Sequence, residues 1–120
     1  MGDYRNLTVY KKAFESAMAI YEISKSFLKE ELFSMTTQIR KSSRSVCVNL
    51  GEGYRKRKYS KHFVSKLTDS DMENSETIVW LEFALACQFI DQKTFNERTS
   101  RAEEVGRMIS HMIDNPDKYR

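Results

Sequence analysis

Gln38-Ile39-Arg40-Lys41-Ser42-Ser43-Arg44-Ser45-Val46-Cys47-Val48-Asn49-Leu50-Gly51-Glu52-Gly53-Tyr54-Arg55 decides the fold. Ile39, Ser43, Val46, Leu50 and Gly53 recur at intervals of three and four, the period of a helix with one buried face. Arg40, Lys41 and Arg44 fall mostly off that face. The spacing predicts a helix from about Leu32 to Tyr54, with Gly53 suited to a C-terminal cap and Gly51 to a close approach between helices.

Outward from this stretch the pattern repeats. Upstream, Leu7, Tyr10, Phe14, Ala17 and Tyr21 mark a helix from about Leu7 to Ser26, with Asn6 or Thr8 as its cap and Lys29-Glu30-Glu31 as the connection. Downstream, Ser60 is placed to cap a third helix of about Lys61 to Phe89, striped by Phe63, Leu67, Asn74, Ile78, Leu81 and Leu85. After the turn Asp91-Gln92-Lys93, Thr94 and Glu97 read as a capping box. The fourth helix aligns Phe95, Thr99, Ala102, Gly106, Ile109 and Ile113 before Asn115-Pro116 stops it. Four glycines and one proline in 120 residues argue against a turn-rich β fold. The expectation is an all-α, antiparallel up-down-up-down four-helix bundle, a single domain over 1–120 with short flexible termini at about 1–5 and 116–120.

Charge is sorted along the chain. Arg40 to Lys66 holds nine Lys/Arg and one acid, Glu52, whereas Thr68 to Gln92 holds six acids and no Lys or Arg. A basic segment of this density can attract a polyanion although the whole chain carries only +3. Arg40, Lys41 and Arg44 lie within about a turn of one another. Arg55, Lys56, Arg57, Lys58 and Lys61 follow, with Tyr54 and Tyr59 interleaved. Arginine and lysine contact phosphates and tyrosine stacks on unpaired bases, so these eight cations are the candidate nucleic-acid-binding residues. An ordinary solvated surface competes with that reading.

Other chemistry finds little support. His62 and His111 are far apart, no HExxH or ExxH pairing occurs, and no glycine-rich phosphate loop is present. No enzyme activity, metal or cofactor is therefore expected. Cys47 and Cys87 sit singly in apolar surroundings and read as two buried, reduced thiols of a cytoplasmic protein. No signal-like start and no apolar run of roughly 18 residues is present, so no membrane contact is expected. Gln38, Asn49, Glu52, Asn74 and Glu76 are candidates for a structural polar network, because inner-face carboxylates and amides cost free energy unless partnered. Trp80 and Phe83 add more apolar bulk than one bundle stripe absorbs, which points to a self-association interface.

With these residues in view, the chain resembles the small bacterial four-helix bundle proteins first noticed as products of intervening sequences in large-subunit ribosomal RNA genes. Asn6-Leu7-Thr8-Val9-Tyr10-Lys11-Lys12-Ala13 is similar to that family's opening motif, and Gln38 to Val46 to its Q-(L/I)-R-R-A-A-x-S-I. Asn49-Leu50-Gly51-Glu52-Gly53-Tyr54, followed by Arg55, is similar to its N-I-A-E-G-(Y/F). Phe63 and Leu67 match F-x-x-x-L, and Trp80-Leu81 a W-L of one branch, while Cys47 replaces a common proline. The resemblance spans about Asn6 to Asp91. It implies a bundle assembled as a ring, typically a homopentamer, without established catalytic activity. It also implies a link to nucleic acid through the ribosomal RNA genes and through related accessory proteins of diversity-generating retroelements.

The function expected from all this is a non-enzymatic homo-oligomer that binds nucleic acid, RNA in preference to DNA, through the Arg40–Lys61 surface. Several copies would gain avidity from few contacts each. The alternative is a protein-interaction scaffold, in which the basic segment meets the acidic one of a neighbour or of a partner protein.

Overall fold

The computed structural model describes residues 3–120, and they form the expected all-α four-helix bundle. Helix α1 spans Thr8–Ser24, α2 Thr37–Arg55, α3 Ser60–Ala86 and α4 Gln92–Asp114. Consecutive helices pack antiparallel and α4 closes the square against α1, in a body of 44 × 25 × 20 Å. No strand occurs among the described residues. Positions 1 and 2 of the expected flexible N-terminus lie outside them. Residues Tyr4–Asn6 and Pro116–Tyr119 form single turns of 3-10 helix, the first capped by Asp3 and the second bringing Tyr119 edge-on to Phe63 at 6.2 Å.

The buried side of α2 is the one its periodicity marks: Ile39, Ser43, Val46, Leu50 and Gly53 are all buried. The expected stripe of α1 is only partly buried. Ala17 is in the core and Leu7 and Tyr10 pack against it, but Phe14 is half exposed and Tyr21 only half-buried, and Val9, Ala13, Ser16, Ile20 and Ser24 make up the rest of the buried side. Small side chains let α1 approach both neighbours, and the bulky aromatics are displaced to its edge.

The core is divided. One apolar cluster joins Val9, Val46, Leu50, Phe63, Leu67, Ile109 and Met112, and a second joins Ile20, Phe27, Met35, Ile39, Leu81 and Ile90. A polar layer separates them. The Ser42 and Thr77 hydroxyls share a 2.8 Å bond, Ser70 donates to the Val46 carbonyl at 2.8 Å, and Asn74 donates to the Ala102 carbonyl at 2.8 Å. Among the described residues no buried side-chain nitrogen or oxygen lacks a partner, so burying this layer costs little.

The helix ends differ from the expectation. Neither Asn6 nor Thr8 caps α1, Ser60 is the first residue of α3, and neither helix has a side-chain cap. The Thr94–Glu97 capping box is not formed: α4 starts at Gln92, and Asp91 caps it by accepting from the Thr94 amide at 2.8 Å. That amide bond holds the Asp91 carboxyl below the usual range. Leu32–Thr36 enters α2 as a wide π turn. Helix α3 ends with Gln88 at φ 63, Phe89 donating to Ala84 and Gln88 to Leu85, a Schellman arrangement that normally takes glycine.

Gly53 is a correction with functional weight. It caps nothing, since α2 runs on to Arg55 and no glycine among the described residues has positive φ. A Cβ at Gly53 would lie 2.9 Å from the Lys66 Cβ, so Gly53 is the close-approach glycine that brings α2 against α3. At Gly51 a Cβ would make ordinary contact with the Tyr4 ring at 3.4 Å.

Candidate nucleic-acid interface

The contact at Gly53 places the basic turn. Just beyond it α2 stops at Arg55, and Lys56–Tyr59 reverses the chain through bonds from Lys56 to Gly53, Arg57 to Tyr54 and Tyr59 to Lys56. Arg57 folds back, donating to the Tyr54 carbonyl at 2.9 Å and stacking on the Tyr54 ring at 4.2 Å. Arg55, Lys56, Lys58 and Lys61 remain exposed, as does Tyr59, whose ring meets His62 edge-on at 6.3 Å. The N-terminal turn adds Arg5 to the same end, beside a cleft of about 230 Å³ shared with Tyr54, Arg55 and Arg57. Arg5 is bound to Asp3 at 2.6 Å, and its backbone amide holds the Asp3 carboxyl below the usual range.

Arg40, Lys41 and Arg44 form a second region. Arg40 lies 15 residues before Arg55, about 22 Å along α2 at the helical rise. Its Nε donates to Ser24 Oγ at 2.7 Å, and its guanidinium lies 4.8 Å from the Tyr21 ring centre. Arg44 and Lys25 approach the same ring at 5.6 and 4.9 Å. Tyr21, Ser24 and Lys25 were missed as site residues. Their spacing on α1 matches that of Arg40 and Arg44 on α2, but the register between the two helices is needed to see it. Lys41 is exposed on the α3 side of α2, where it partly offsets the upward shift that burial and Glu76 impose on the Glu73 carboxyl.

Among the described residues none of the eight candidate cations is in an ion pair with a carboxylate. Arg5, Lys12, Lys25, Lys66, Arg101 and Arg120 all are. The paired cations stand where neutralisation is available within the fold; of the eight candidates, Lys41, Arg44, Arg55, Lys56, Lys58 and Lys61 are exposed without it, and Arg40 and Arg57 are half-buried on uncharged partners.

The five polar-network candidates are not brought together. Asn74 is buried and bonded to α4. Asn49 is half-buried and donates to the Ser45 carbonyl at 3.0 Å, and Gln38 is half-buried. Glu52 is exposed and paired with Lys66 at 3.1 Å, and Glu76 is exposed and accepts from Trp80 Nε1 at 3.1 Å. The hydroxyls of Ser42, Ser70 and Thr77 supply the buried polar layer instead. Phe83 is 52% exposed, with the Trp80 ring 5.8 Å away. Cys47 is buried, which pushes its thiol up to about 11, whereas Cys87 is exposed at the end of α3, against expectation. Both thiols are free. No cluster of metal-ligating side chains occurs among the described residues, and no helix there is long and apolar enough to cross a membrane.

The family model of the 23S rRNA-intervening sequence protein matches residues 5–111. The chain belongs to the 23S rRNA-intervening sequence protein family. The match takes in all eight cations and reaches to within three residues of the end of α4. The bundle is also similar to the crystal structure of a protein of unknown function from the S23 ribosomal protein family of Bacteroides thetaiotaomicron. The TM-score is 0.82 at 24% identity, over 90% of this chain and all of the other, a likeness of fold. No curated protein matches the chain. The intervening-sequence protein family is not a recognised enzyme family.

Proposed function

We propose that this protein is a non-enzymatic, homo-oligomeric nucleic-acid binder, with RNA the preferred target, and that the α2–α3 turn makes the principal contacts. The single observation that carries the reading is the set of outward-facing cations without carboxylate partners, densest where Arg55, Lys56, Lys58 and Lys61 crowd one end of the bundle. Like charges held close repel one another, and a phosphate backbone relieves that repulsion while releasing counterions. Arg57, tied to Tyr54, offers a fixed guanidinium face, and exposed Tyr59 offers a ring for stacking. The family's connection with ribosomal RNA agrees with an RNA target. Recognition by shape fits best, because the turn carries no base-reading motif.

Several copies in one assembly, a pentameric ring in the reading that the family resemblance implies, would multiply a weak contact by avidity. The test is binding to a structured ribosomal RNA fragment titrated with salt. A log–log plot falling linearly with a slope of at least about −3, at roughly 0.7–0.9 per phosphate contact, supports the reading. Absence of binding at low salt overturns it and favours the scaffold reading, for which the acidic face of α3 is the specific observation.

A further inference from the structure

Helix α3 exposes a face that its own bundle does not use. At about 100° per residue, Met72, Val79 and Phe83 fall on the side of α3 away from the buried Leu67, Asn74 and Leu81. All three are exposed, and the stripe runs about 16 Å along the helix axis. Asp69, Glu76 and Glu82 border it, and the segment from Thr68 to Gln92 contains no lysine or arginine.

A second uncovered face has the complementary character. Between α1 and α2 runs a groove of about 490 Å³ whose walls include Phe14, Met18 and Val48, all about half exposed. Arg44 and Arg55 stand at its two ends, 11 residues apart on α2, which is again about 16 Å. The one carboxylate lining it, Glu52, is paired with Lys66. The groove exists because α1 turns its small residues inward and leaves its aromatics at the edge, so it follows from the core packing.

We infer that the α1–α2 groove of one copy receives the α3 stripe of another. Lengths match, apolar meets apolar, and acids meet arginines. The two faces belong to different sides of the bundle and cannot meet within one molecule. A symmetric α3–α3 contact would set Asp69, Glu76 and Glu82 against their own kind, which disfavours it. The contact is therefore heterologous, head to tail, and builds a closed ring or an open filament. It divides the basic residues by role: Arg44 serves assembly, while Lys56, Lys58 and Lys61 at the turn stay free and repeat once per copy. This rests on the self-association part of the proposed function and is independent of the RNA part.

The test uses two variants of the full chain and measures mass in solution. Val79→Asp with Phe83→Asp spoils the stripe; Phe14→Asp with Val48→Asp spoils the groove. All four positions are at least half exposed or nearly so, and circular dichroism checks that each variant keeps its helices. Each variant alone is expected to be monomeric. Mixed one to one, they are expected to form a heterodimer and nothing larger, because one intact groove and one intact stripe remain. A monomeric parent chain at about 100 μM overturns self-association altogether. An oligomeric parent with either variant still assembled overturns the assignment of faces. Two monomeric variants of an oligomeric parent that do not pair when mixed overturn the head-to-tail arrangement. Failure of RNA binding alone touches none of these outcomes.

Discussion

The two ends of the bundle are built on different principles. At the α2–α3 end, Gly53 draws two helices into contact and the short turn crowds Arg55, Lys56, Arg57, Lys58 and Lys61, with Arg5 alongside. At the other end, Phe27 packs on Phe89 at 5.3 Å while Leu28, Leu32 and a 91% exposed Phe33 face solvent, and the chain turns through a π turn and a strained Gln88. One end is tight in its backbone and rich in unneutralised charge. The other exposes large apolar side chains beside Lys29, Glu30, Asp91 and Lys93, charges of both signs. A polyanion would gain from the first and little from the second, which is why the proposed function is placed at the α2–α3 turn.

The sharpest way to break that comparison is to reverse the charge at one end. Changing Lys56, Arg57, Lys58 and Lys61 together to Glu, which leaves the groove arginines Arg44 and Arg55 in place, is expected to lower RNA affinity by at least about 100-fold in a fluorescence anisotropy titration, with the helical circular dichroism retained. Loss of the oligomer in the same variant would instead assign these residues to assembly. Substituting Leu28, Leu32 and Phe33 with Ser is the control at the opposite end, expected to change affinity less than about twofold.

Backbone tightness gives the next largest effect. Gly53→Ala is expected to lower stability by about 1–2 kcal/mol in urea unfolding, because Lys66 Cβ is fixed to its backbone and cannot yield cheaply. Gly51→Ala, two residues earlier, is expected to be neutral or to gain up to about 1 kcal/mol, since its Cβ finds ordinary contact and alanine favours the helix. Equal costs at both glycines would remove the distinction drawn between them.

The thiols sharpen the comparison by reactivity. Near neutral pH one cysteine, Cys87, is expected to react quickly with a disulfide reagent, and Cys47 only after unfolding, because burial keeps it protonated. The sign follows: a thiol whose folded value is raised from 9.0 to about 11 contributes stability below pH 9 and loses it as pH climbs through that window. Cys47→Ser is expected to flatten this alkaline slope. The smallest effect is at the apolar end, where Gln88→Gly is expected to raise stability by roughly 0.5–1 kcal/mol by relieving the left-handed residue. No gain would show that the Gln88 conformation carries no strain.

Reading the sequence succeeded where one pattern dominated. In α2 the apolar and small residues share a single stripe and the charges lie elsewhere, so Ile39, Val46 and Leu50 had only one way to turn. Helix α1 carries two stripes, one large and aromatic and one small, and size alone favours the wrong one. Phe14 looks like core until Ala13, Ser16 and Ala17 are seen to permit the close approach. The glycines were both noticed, but their roles depend on what the neighbouring helix places opposite them. Asp91 outcompeted Thr94 as the cap because α4 begins three residues earlier than the capping box implied.

Of the candidate site, the eight cations were visible as a run of charge, and the exposure of six of them follows from lying off the apolar stripe or in the turn, whereas Arg40 and Arg57 fold onto neighbouring side chains. Their division into a turn group and an α2 group was not visible, nor was the meeting of Arg40 and Arg44 with Tyr21, Ser24 and Lys25 across two helices. Periodicity, charge order and sparse breakers by themselves determined four helices, their succession and the basic segment, because these are properties of neighbours along the chain. Only the tertiary structure decided which face of α1 is buried, which glycine draws helices together, and that an arginine-ended groove lies opposite no partner within its own molecule. Those depend on what residues far apart in sequence place beside one another, and one helix's periodicity carries no record of another's register.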